Sequence, residues 1–245
     1  MDTKFIREIK IRKEEIPKDS YLREIPAICS VNTVRFEKPV TFFVGENGSG
    51  KSTLLEGIAV AYGFNPEGGT RNFNFSTKDT HSELSQAVSV LKGIKRPRDE
   101  FFLRAESFYN VATQIDEYER EQGQYLKYYG GKSLHCQSHG ESFLSLVQNR
   151  FLGEGLYLLD EPEAALSPQR QLTLLYLIHE LVKKGSQFII ATHSPILLGL
   201  PDAEIYSLDN GVISGIPYED ADCYRIMKLF INDKDLFLRQ LLQGE

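Results

Sequence analysis

The sequence predicts an α/β fold whose core is a mainly parallel β-sheet. Three apolar runs support this prediction: "PVTFFVG" (Pro39–Gly45), "GLYLLD" (Gly155–Asp160) and "SQFIIAT" (Ser186–Thr192). Each has a continuous apolar stretch at its centre, as expected of a strand that is buried on both faces. Segments with helical spacing separate the runs, and strands that alternate with helices fold into parallel sheets.

Two further strands are expected near the N-terminus, at "KFIREIKIRK" (Lys4–Lys13) and "VNTVRFEK" (Val31–Lys38). In the first, Phe5, Ile9 and Ile11 alternate with charged residues, which indicates an edge or half-exposed strand. We therefore expect N-terminal antiparallel strands beside the parallel core.

The helices of the core have recognisable starts and stops. A helical pattern runs from Ser49 to Ala61. A second helix is expected in "SPQRQLTLLYLIHELVKKG", with Ser167 as N-cap, Pro168 at the first position and Gly185 after the end. "DNG" predicts a hairpin turn within "AEIYSLDNGVISGI", and the tail from 219 to 243 is an amphipathic helical stretch.

The middle of the chain differs in composition from the core. "GFNPEGGTRNFNFSTKDT" is rich in Gly, Asn and Thr and predicts an irregular insertion, and "HSELSQAVSVLKG" fits a short helix or a strand pair. A strand is expected next, within "EFFLRAESF". Helical patterns follow it in "YNVATQIDEYEREQGQYLKYYGG" and "GESFLSLVQNRF". We expect one domain over 1–245, with a helical subdomain inserted at approximately 65–150.

Composition limits the classes of partner. The 245 residues carry a formal net charge of −6, which argues against autonomous binding to nucleic acid through a broad basic surface. Three cysteines without C-x-x-C spacing argue against a disulfide framework or a structural zinc site, and fit a reducing cytoplasm. The N-terminal segment lacks the apolar core of a signal peptide, and no apolar stretch approaches the ~18 residues of a membrane-spanning helix.

The segment after the first apolar run matches the pattern G-x-x-x-x-G-K-[ST]. Its residues are Gly45, Glu46, Asn47, Gly48, Ser49, Gly50, Lys51 and Ser52. Backbone N–H groups converge on phosphate oxygens only where side chains are absent, and a helix N-terminus adds a favourable dipole. We expect this loop, extended to Thr53, to bind nucleotide phosphates, with Lys51 on the β- and γ-phosphates and Ser52 on Mg²⁺.

Acidic and basic side chains follow the other two apolar runs. Asp160 and Glu161 end the second run, where Asp160 is expected to hold Mg²⁺ and Glu161 to polarise an attacking water. His193 follows the third run, where it could donate a hydrogen bond to the γ-phosphate. "SHGES" (Ser138–Ser142) precedes a helix and is either an ordinary cap or a second phosphate contact, made to the nucleotide of another chain.

These four elements in this order resemble the ATP-binding-cassette (ABC) ATPase superfamily. The chain looks most similar to its small soluble AAA-labelled members, relatives of the RecF and SMC heads. "QSHGE" stands where that family has its signature sequence, with Ser138 and Gly140 matching. "RAESFYN" resembles the Q-loop with Glu106 in place of glutamine, so a carboxylate could act on Mg²⁺ there. The resemblance also implies an aromatic residue that stacks on adenine, for which Tyr21 and Phe36 are both candidates.

The resemblance implies a mechanism in which two heads enclose two ATP molecules and hydrolysis reopens the dimer. We favour the interpretation that the chain is an ATP-dependent homodimer that moves a partner protein. A nucleotide-binding subunit of an ABC transporter, a DNA-associated ATPase of the RecF type and a nucleotide-binding scaffold with little turnover are the alternatives. DNA-stimulated turnover that falls steeply with salt would support the DNA-associated reading.

Overall fold

The computed structural model describes residues 4–71 and 83–243, and its main feature is a parallel sheet. Within these residues the strands are β1 (Ile6–Ile11), β2 (Thr33–Arg35), β3 (Val40–Val44), β4 (Val88–Lys92), β5 (Asp99–Arg104), β6 (Gly155–Asp160), β7 (Gln187–Ala191), β8 (Glu204–Ser207) and β9 (Ser214–Gly215). Six of them form one sheet in the order β5-β6-β7-β3-β8-β9, in which only the β8–β9 pair is antiparallel. The predicted α/β fold with a mainly parallel core is confirmed.

Helices cover both faces of this sheet. In the described part of the chain they are α1 (Pro26–Ser30), α2 (Lys51–Tyr62), α3 (Leu84–Ala87), α4 (Phe108–Gln122), α5 (His139–Arg150), α6 (Pro168–Lys183), α7 (Pro195–Leu198), α8 (Asp222–Asn232) and α9 (Lys234–Gln243). Successive strand residues point to opposite faces. Phe42 of β3 therefore joins the apolar cluster that includes α4, α5 and α6, whereas Phe43 joins the cluster that includes α2. No described helix is both long enough and apolar enough to cross a membrane.

The N-terminal strands form a separate antiparallel sheet. Its order is β2-β1-β4, so β1 lies in the centre, and the expectation that it is an edge strand is wrong. Its neighbour β4 comes from a segment about eighty residues later, a pairing that local spacing does not reveal. The half-exposed character is confirmed, because Ile9 and Ile11 are buried while Arg7 and Lys10 are exposed.

The middle of the chain contains both helices and strands. "HSELSQAVSVLKG" becomes α3 followed directly by β4, although its first two residues lie outside the described part of the chain. Much of the predicted irregular insertion, residues 72–80, also lies outside it. Between β5 and β6 the chain forms α4, α5 and two short 3₁₀ helices at Leu126–Tyr129 and Leu134–Cys136. That residues 65–150 act as a distinct subdomain stays a prediction.

Gln187 joins the two sheets. Its side chain is 1% exposed; Oε1 accepts hydrogen bonds from the backbone N–H groups of Phe5 (2.7 Å) and Ile6 (2.9 Å), and Nε2 donates to the Ile6 carbonyl (2.8 Å). A single amide thus pairs buried backbone groups at the start of β1. This contact fixes the antiparallel sheet against the first residue of β7.

We expect Gln187→Met to lower the free energy of unfolding by about 3 kcal/mol, because a thioether of similar length leaves buried backbone groups without partners. Urea denaturation followed by circular dichroism measures this. Gln169→Met, at an exposed position of α6, is the matched control and should change stability by less than about 0.5 kcal/mol. Equal stability of the two variants would show that Gln187 does not hold the sheets together.

Candidate functional site

The carboxyl ends of three neighbouring strands meet at one edge of the parallel sheet. In register, Ala191 of β7 lies between Phe43 of β3 and Asp160 of β6. The chain then continues from each strand into a loop, and these loops are tied together: Glu161 N donates to the Ala191 carbonyl (2.9 Å) and Thr192 N to the Phe43 carbonyl (3.1 Å). The sheet order therefore brings together the three sequence elements in which the candidate residues were found.

The glycine-containing loop leads from β3 into α2. Gly45, Gly48 and Gly50 have φ values of 146°, 82° and 100°, in the region that residues with a side chain rarely adopt. At Gly50 an added Cβ would also lie 2.6 Å from a side-chain carbon of Ile25. The glycines are thus required by the backbone path, which ends at the N-terminus of α2.

Lys51 is the first residue of α2, and its side chain folds back over the loop. Its Nζ donates to the carbonyls of Gly45 and Glu46, each at 2.8 Å, and the residue is 4% exposed. Burial lowers the pKa of the ammonium group, while the carboxylates of Glu161 and Asp209 act in the opposite direction. A buried cation held by neutral carbonyls is well placed to bind an anion of higher charge.

Asp160 at the end of β6 is the buried acid of the site. It is 5% exposed, and burial raises the pKa of its carboxyl to about 6, against the effects of the Arg104 guanidinium and the Ser52 hydroxyl. Arg104 Nε lies 3.7 Å from Asp160 Oδ2. The carboxylate would gain from a nearby divalent cation, because a cation favours the ionised form that burial disfavours.

Glu161 and His193 face each other across the edge of the sheet. His193 Nε2 lies 3.8 Å from Glu161 Oε1. Glu161 has a left-handed backbone (φ 49°), which is unusual for a residue with a side chain and sets it apart from the strand before it. The backbone of His193 is held by Glu163, whose Oε1 accepts its N–H at 2.5 Å. The two predicted catalytic side chains are therefore neighbours.

Orphaned polar atoms show that these residues suit a bound phosphate and metal ion. Ser49 Oγ, Asp160 Oδ1 and His193 Nε2 are buried without a hydrogen-bond partner among the described residues. Buried polar groups are normally paired, so unpaired atoms on three converging elements point to a ligand. The other predicted contacts lie beside them. Glu46 and Asn47 are on the exposed side of the loop, and Ser52 and Thr53 are half-buried in the first turn of α2.

Arg104 is a site residue that the sequence interpretation did not include. Its guanidinium donates to Glu56 Oε2 at 3.0 Å, ion-pairs with Glu106 and lies near Asp160. The predicted metal ligand Glu106 is thus held by Arg104, two residues before it, and its own side chain is 71% exposed. Only the register of β5 with β6, which pairs Arg104 with Asp160, reveals this proximity.

Ser138 and Gly140 lie at the N-terminus of α5. Ser138 is the N-cap, and its Oγ donates to Glu141 Oε2 at 2.6 Å, while Arg170 of α6 contacts both side chains. A Cβ at Gly140 would lie 2.7 Å from the Ala165 carbonyl and 2.6 Å from Arg170 Nη1. This turn therefore packs closely on the segment that follows Glu161, and its serine has partners within the same chain.

The two candidates for an adenine-stacking aromatic differ in accessibility. Phe36 is 1% exposed and packs edge-on against Phe43 in the core, at 6.5 Å between ring centroids, so its ring faces cannot stack on a base. Tyr21 is 52% exposed and remains the predicted residue.

A second residue that the sequence interpretation missed is Asp209, which accepts a hydrogen bond from Glu46 N at 2.9 Å and so fixes the loop from the side of β8.

Comparison with known proteins agrees with this geometry. Residues 27–162 match the family model described as AAA domain, and residues 142–199 match one described as AAA domain, putative AbiEii toxin, Type IV TA system. A cobalt import ATP-binding protein CbiO of Salmonella typhimurium is 25% identical over 222 residues, which are 83% of this chain and 80% of that protein.

A solved structure shows the same fold. The cbiO1 structure from Clostridium perfringens, part of the ABC transporter complex cbiONQ, aligns with a TM-score of 0.52 and 18% identity over 95% of this chain and 97% of that one. An SMC head domain from Thermotoga maritima aligns with a TM-score of 0.45 and 16% identity over 87% of this chain and 98% of that one. With more than half of its length matched by the family model, the chain belongs to the AAA-domain family and is a P-loop ATPase of the ABC type.

Proposed function

We propose that this ATPase dimerises around Mg-ATP and that hydrolysis drives a conformational change in a partner protein. The observation that carries the hydrolytic part is the convergence of Lys51, Asp160, Glu161 and His193 at one edge of the sheet. Lys51 binds the β- and γ-phosphates, and Ser52 and Asp160 would hold Mg²⁺. Glu106 would bind Mg²⁺ together with these residues only if its carboxylate also kept its contact with Arg104. When bound, Mg-ATP supplies the terminal phosphoanhydride bond that is broken.

Glu161 is the proposed general base. A carboxylate at that position polarises a water for attack, and its left-handed backbone directs it away from the buried strand. His193, 3.8 Å away, is placed to donate a hydrogen bond to the same phosphate and to hold the water between the two side chains. Its buried Nε2 is available for this role, because no other described group pairs with it.

The turn at Ser138 is the proposed contact with the nucleotide of a second chain in the dimer. Gly140 is buried against Ala165 in the first turn of a twelve-residue helix, and this close packing links the turn to the segment after Glu161. A nucleotide held by the loop of one chain would meet this helix N-terminus of a second chain, since negative phosphates are stabilised between two helix N-termini. The dimer should therefore form with ATP and separate without it.

A second candidate function is the ATP-binding subunit of an ABC transporter. The CbiO relatives favour it, because they match this chain over most of its length. A permease that co-purifies with the chain from a membrane fraction would support this role, whereas a partner that lacks membrane-spanning segments would support a different one. The partner protein differs between the two candidates, but the proposed chemistry at Glu161 is the same.

The solution mass of Glu161→Gln tests the dimer. We expect a monomer without nucleotide and a dimer with Mg-ATP, measured by light scattering after gel filtration, because the variant should bind ATP without hydrolysing it. Adding Ser138→Arg should return the mass to that of a monomer, since a long cation would clash at the shared nucleotide, while ATP binding by the single chain is retained. A monomer under both conditions would contradict homodimerisation.

A further inference from the structure

A second cleft lies at the opposite edge of the sheet from the nucleotide loop. It has a volume of about 340 Å³ and is formed where the Leu126–Tyr129 turn and the C-terminal end of α5 meet the start of β5. Three tyrosines, Tyr125, Tyr128 and Tyr129, and two arginines, Arg98 and Arg150, line it. Among the described residues that line this cleft, the carboxylate is that of Asp99, and Glu154 lies at the rim beside Arg98. The proposed ATPase chemistry uses none of these residues.

Asp99 is fully occupied and serves to orient Arg150. The residue is 5% exposed; its Oδ1 accepts from Arg150 Nη1, and its Oδ2 accepts from Leu152 N (3.2 Å) and from the Tyr157 hydroxyl (2.7 Å). A guanidinium has five N–H donors, so this pairing fixes the Arg150 side chain and leaves other donors toward the cleft. Asp99 therefore presents an oriented cation rather than a free negative charge.

The hydroxyl of Tyr129 is a buried polar group that lies beside the Tyr125 hydroxyl and the Arg150 guanidinium. The residue is 1% exposed, and its oxygen has no hydrogen bond of acceptable geometry to any described residue. Burial raises the pKa of this hydroxyl, so it stays protonated and is available as a donor. A ligand acceptor that reaches this donor from the cleft would complete its hydrogen bonding.

The walls of the cleft are preformed. Both carboxylate oxygens of Glu119 accept backbone N–H groups that begin the tyrosine turn, those of Gln124 (3.1 Å) and Leu126 (2.7 Å). Ser145 of α5 donates to the Tyr129 carbonyl at 3.2 Å. The Tyr125 and Tyr129 rings pack 5.6 Å apart. A ligand would therefore bind with little cost in ordering the site.

The open groups define the ligand by its chemistry. Guanidinium and hydroxyl donors require an acceptor-rich anion, and a carboxylate matches the planar fork of arginine. Tyrosine rings on the adjoining wall favour a flat aromatic body. The Arg98–Glu154 ion pair at the rim is largely exposed, with the Arg98 side chain 78% accessible, and can re-pair at little cost. We propose that this cleft is a binding site for a small aromatic carboxylate, separate from the nucleotide site.

The test uses benzoate as the probe and the full-length chain without nucleotide. Titration followed by ¹H–¹⁵N NMR should show saturable binding with a Kd on the order of 1 mM, as expected for a fragment of this size. Benzyl alcohol, which has the ring without the charge, and acetate, which has the charge without the ring, should each bind at least about tenfold more weakly. Shifts that do not saturate, or equal binding of all three probes, would overturn the proposal.

Tyr129→Phe removes only the hydroxyl. It should weaken benzoate binding about tenfold and leave folding intact, because the hydroxyl makes no hydrogen bond of full geometry within the described chain. Tyr109→Phe, at an exposed tyrosine of α4 outside the cleft, should bind benzoate as the wild type does. Benzoate affinity that is the same in both variants, or that disappears when a non-hydrolysable ATP analogue fills the nucleotide site, would contradict a separate site at Tyr129.

Discussion

Replacing Lys51 by methionine should reduce ATP turnover by a factor of about 10²–10³ or more, because the proposed phosphate site would lose the buried cation of its loop. The two loop carbonyls that now hold the ammonium group would instead face the phosphates directly, and like partial charges repel. ATP binding should weaken together with turnover, since this charge contact forms in the ground state as well. A coupled phosphate-release assay and equilibrium binding of a fluorescent ATP analogue measure the two effects.

Stability separates this effect from a folding defect. Burial lowers the pKa of Lys51, so the charged side chain costs free energy in the folded chain without nucleotide, and its two hydrogen bonds offset part of that cost. Methionine should therefore change the free energy of unfolding by no more than about 1 kcal/mol. Lys132→Met, at an exposed lysine, is the matched control and should retain wild-type turnover. Undiminished turnover in Lys51→Met would refute the phosphate-binding role.

The parallel core could be predicted because its strands are buried on both faces. A strand such as β3, in which every residue is buried, is almost entirely apolar, and this pattern is visible in one sequence without knowledge of its neighbours. The helix over Pro168–Lys183 was predictable for the same local reason, since its proline start and glycine stop lie next to it. Ser167 precedes it as expected, but its side chain makes no capping hydrogen bond.

The strand pairing of the antiparallel sheet could not be predicted from local sequence patterns. β1 carries an alternating pattern that suits an edge or a central strand equally well, and its central position depends on β4, which is distant in sequence. Gln187 gives a second example. A glutamine at the head of a buried strand looks like a boundary residue in the sequence, yet its amide pairs the backbone of β1.

The candidate site likewise contains residues that the sequence could predict and residues that it could not. Lys51, Asp160, Glu161 and His193 follow strands, and parallel strands in one sheet bring their carboxyl ends together, so their proximity could be inferred. Arg104 could not, because its importance depends on which strand pairs with β6 and on the acids that surround it. The choice between Tyr21 and Phe36 likewise required burial, a tertiary property.

The second large effect is expected from Glu161→Gln, which should lower kcat by about 10²–10⁴-fold while ATP affinity stays within a few-fold of the wild type. Glutamine keeps the size of the side chain but cannot accept a proton from the attacking water. The neighbouring Asp160, Lys51 and loop glycines, which carry the proposed binding contacts, are unchanged. Single-turnover hydrolysis and equilibrium ATP binding, measured on the same preparation, separate the two quantities.

Glu163→Gln distinguishes loss of the base from a general loss of negative charge at this edge of the sheet. Glu163 is two residues away, and its Oε1 accepts the backbone N–H of His193, a contact that a glutamine carbonyl can also make. This variant should therefore keep turnover within about threefold of the wild type, because general base catalysis depends on one positioned carboxylate and not on the summed charge. If Glu163→Gln lost as much activity as Glu161→Gln, the base would have to be reassigned. If Glu161→Gln kept full activity, the water would have to be polarised elsewhere, and His193, 3.8 Å from Glu161, would be the first residue to test.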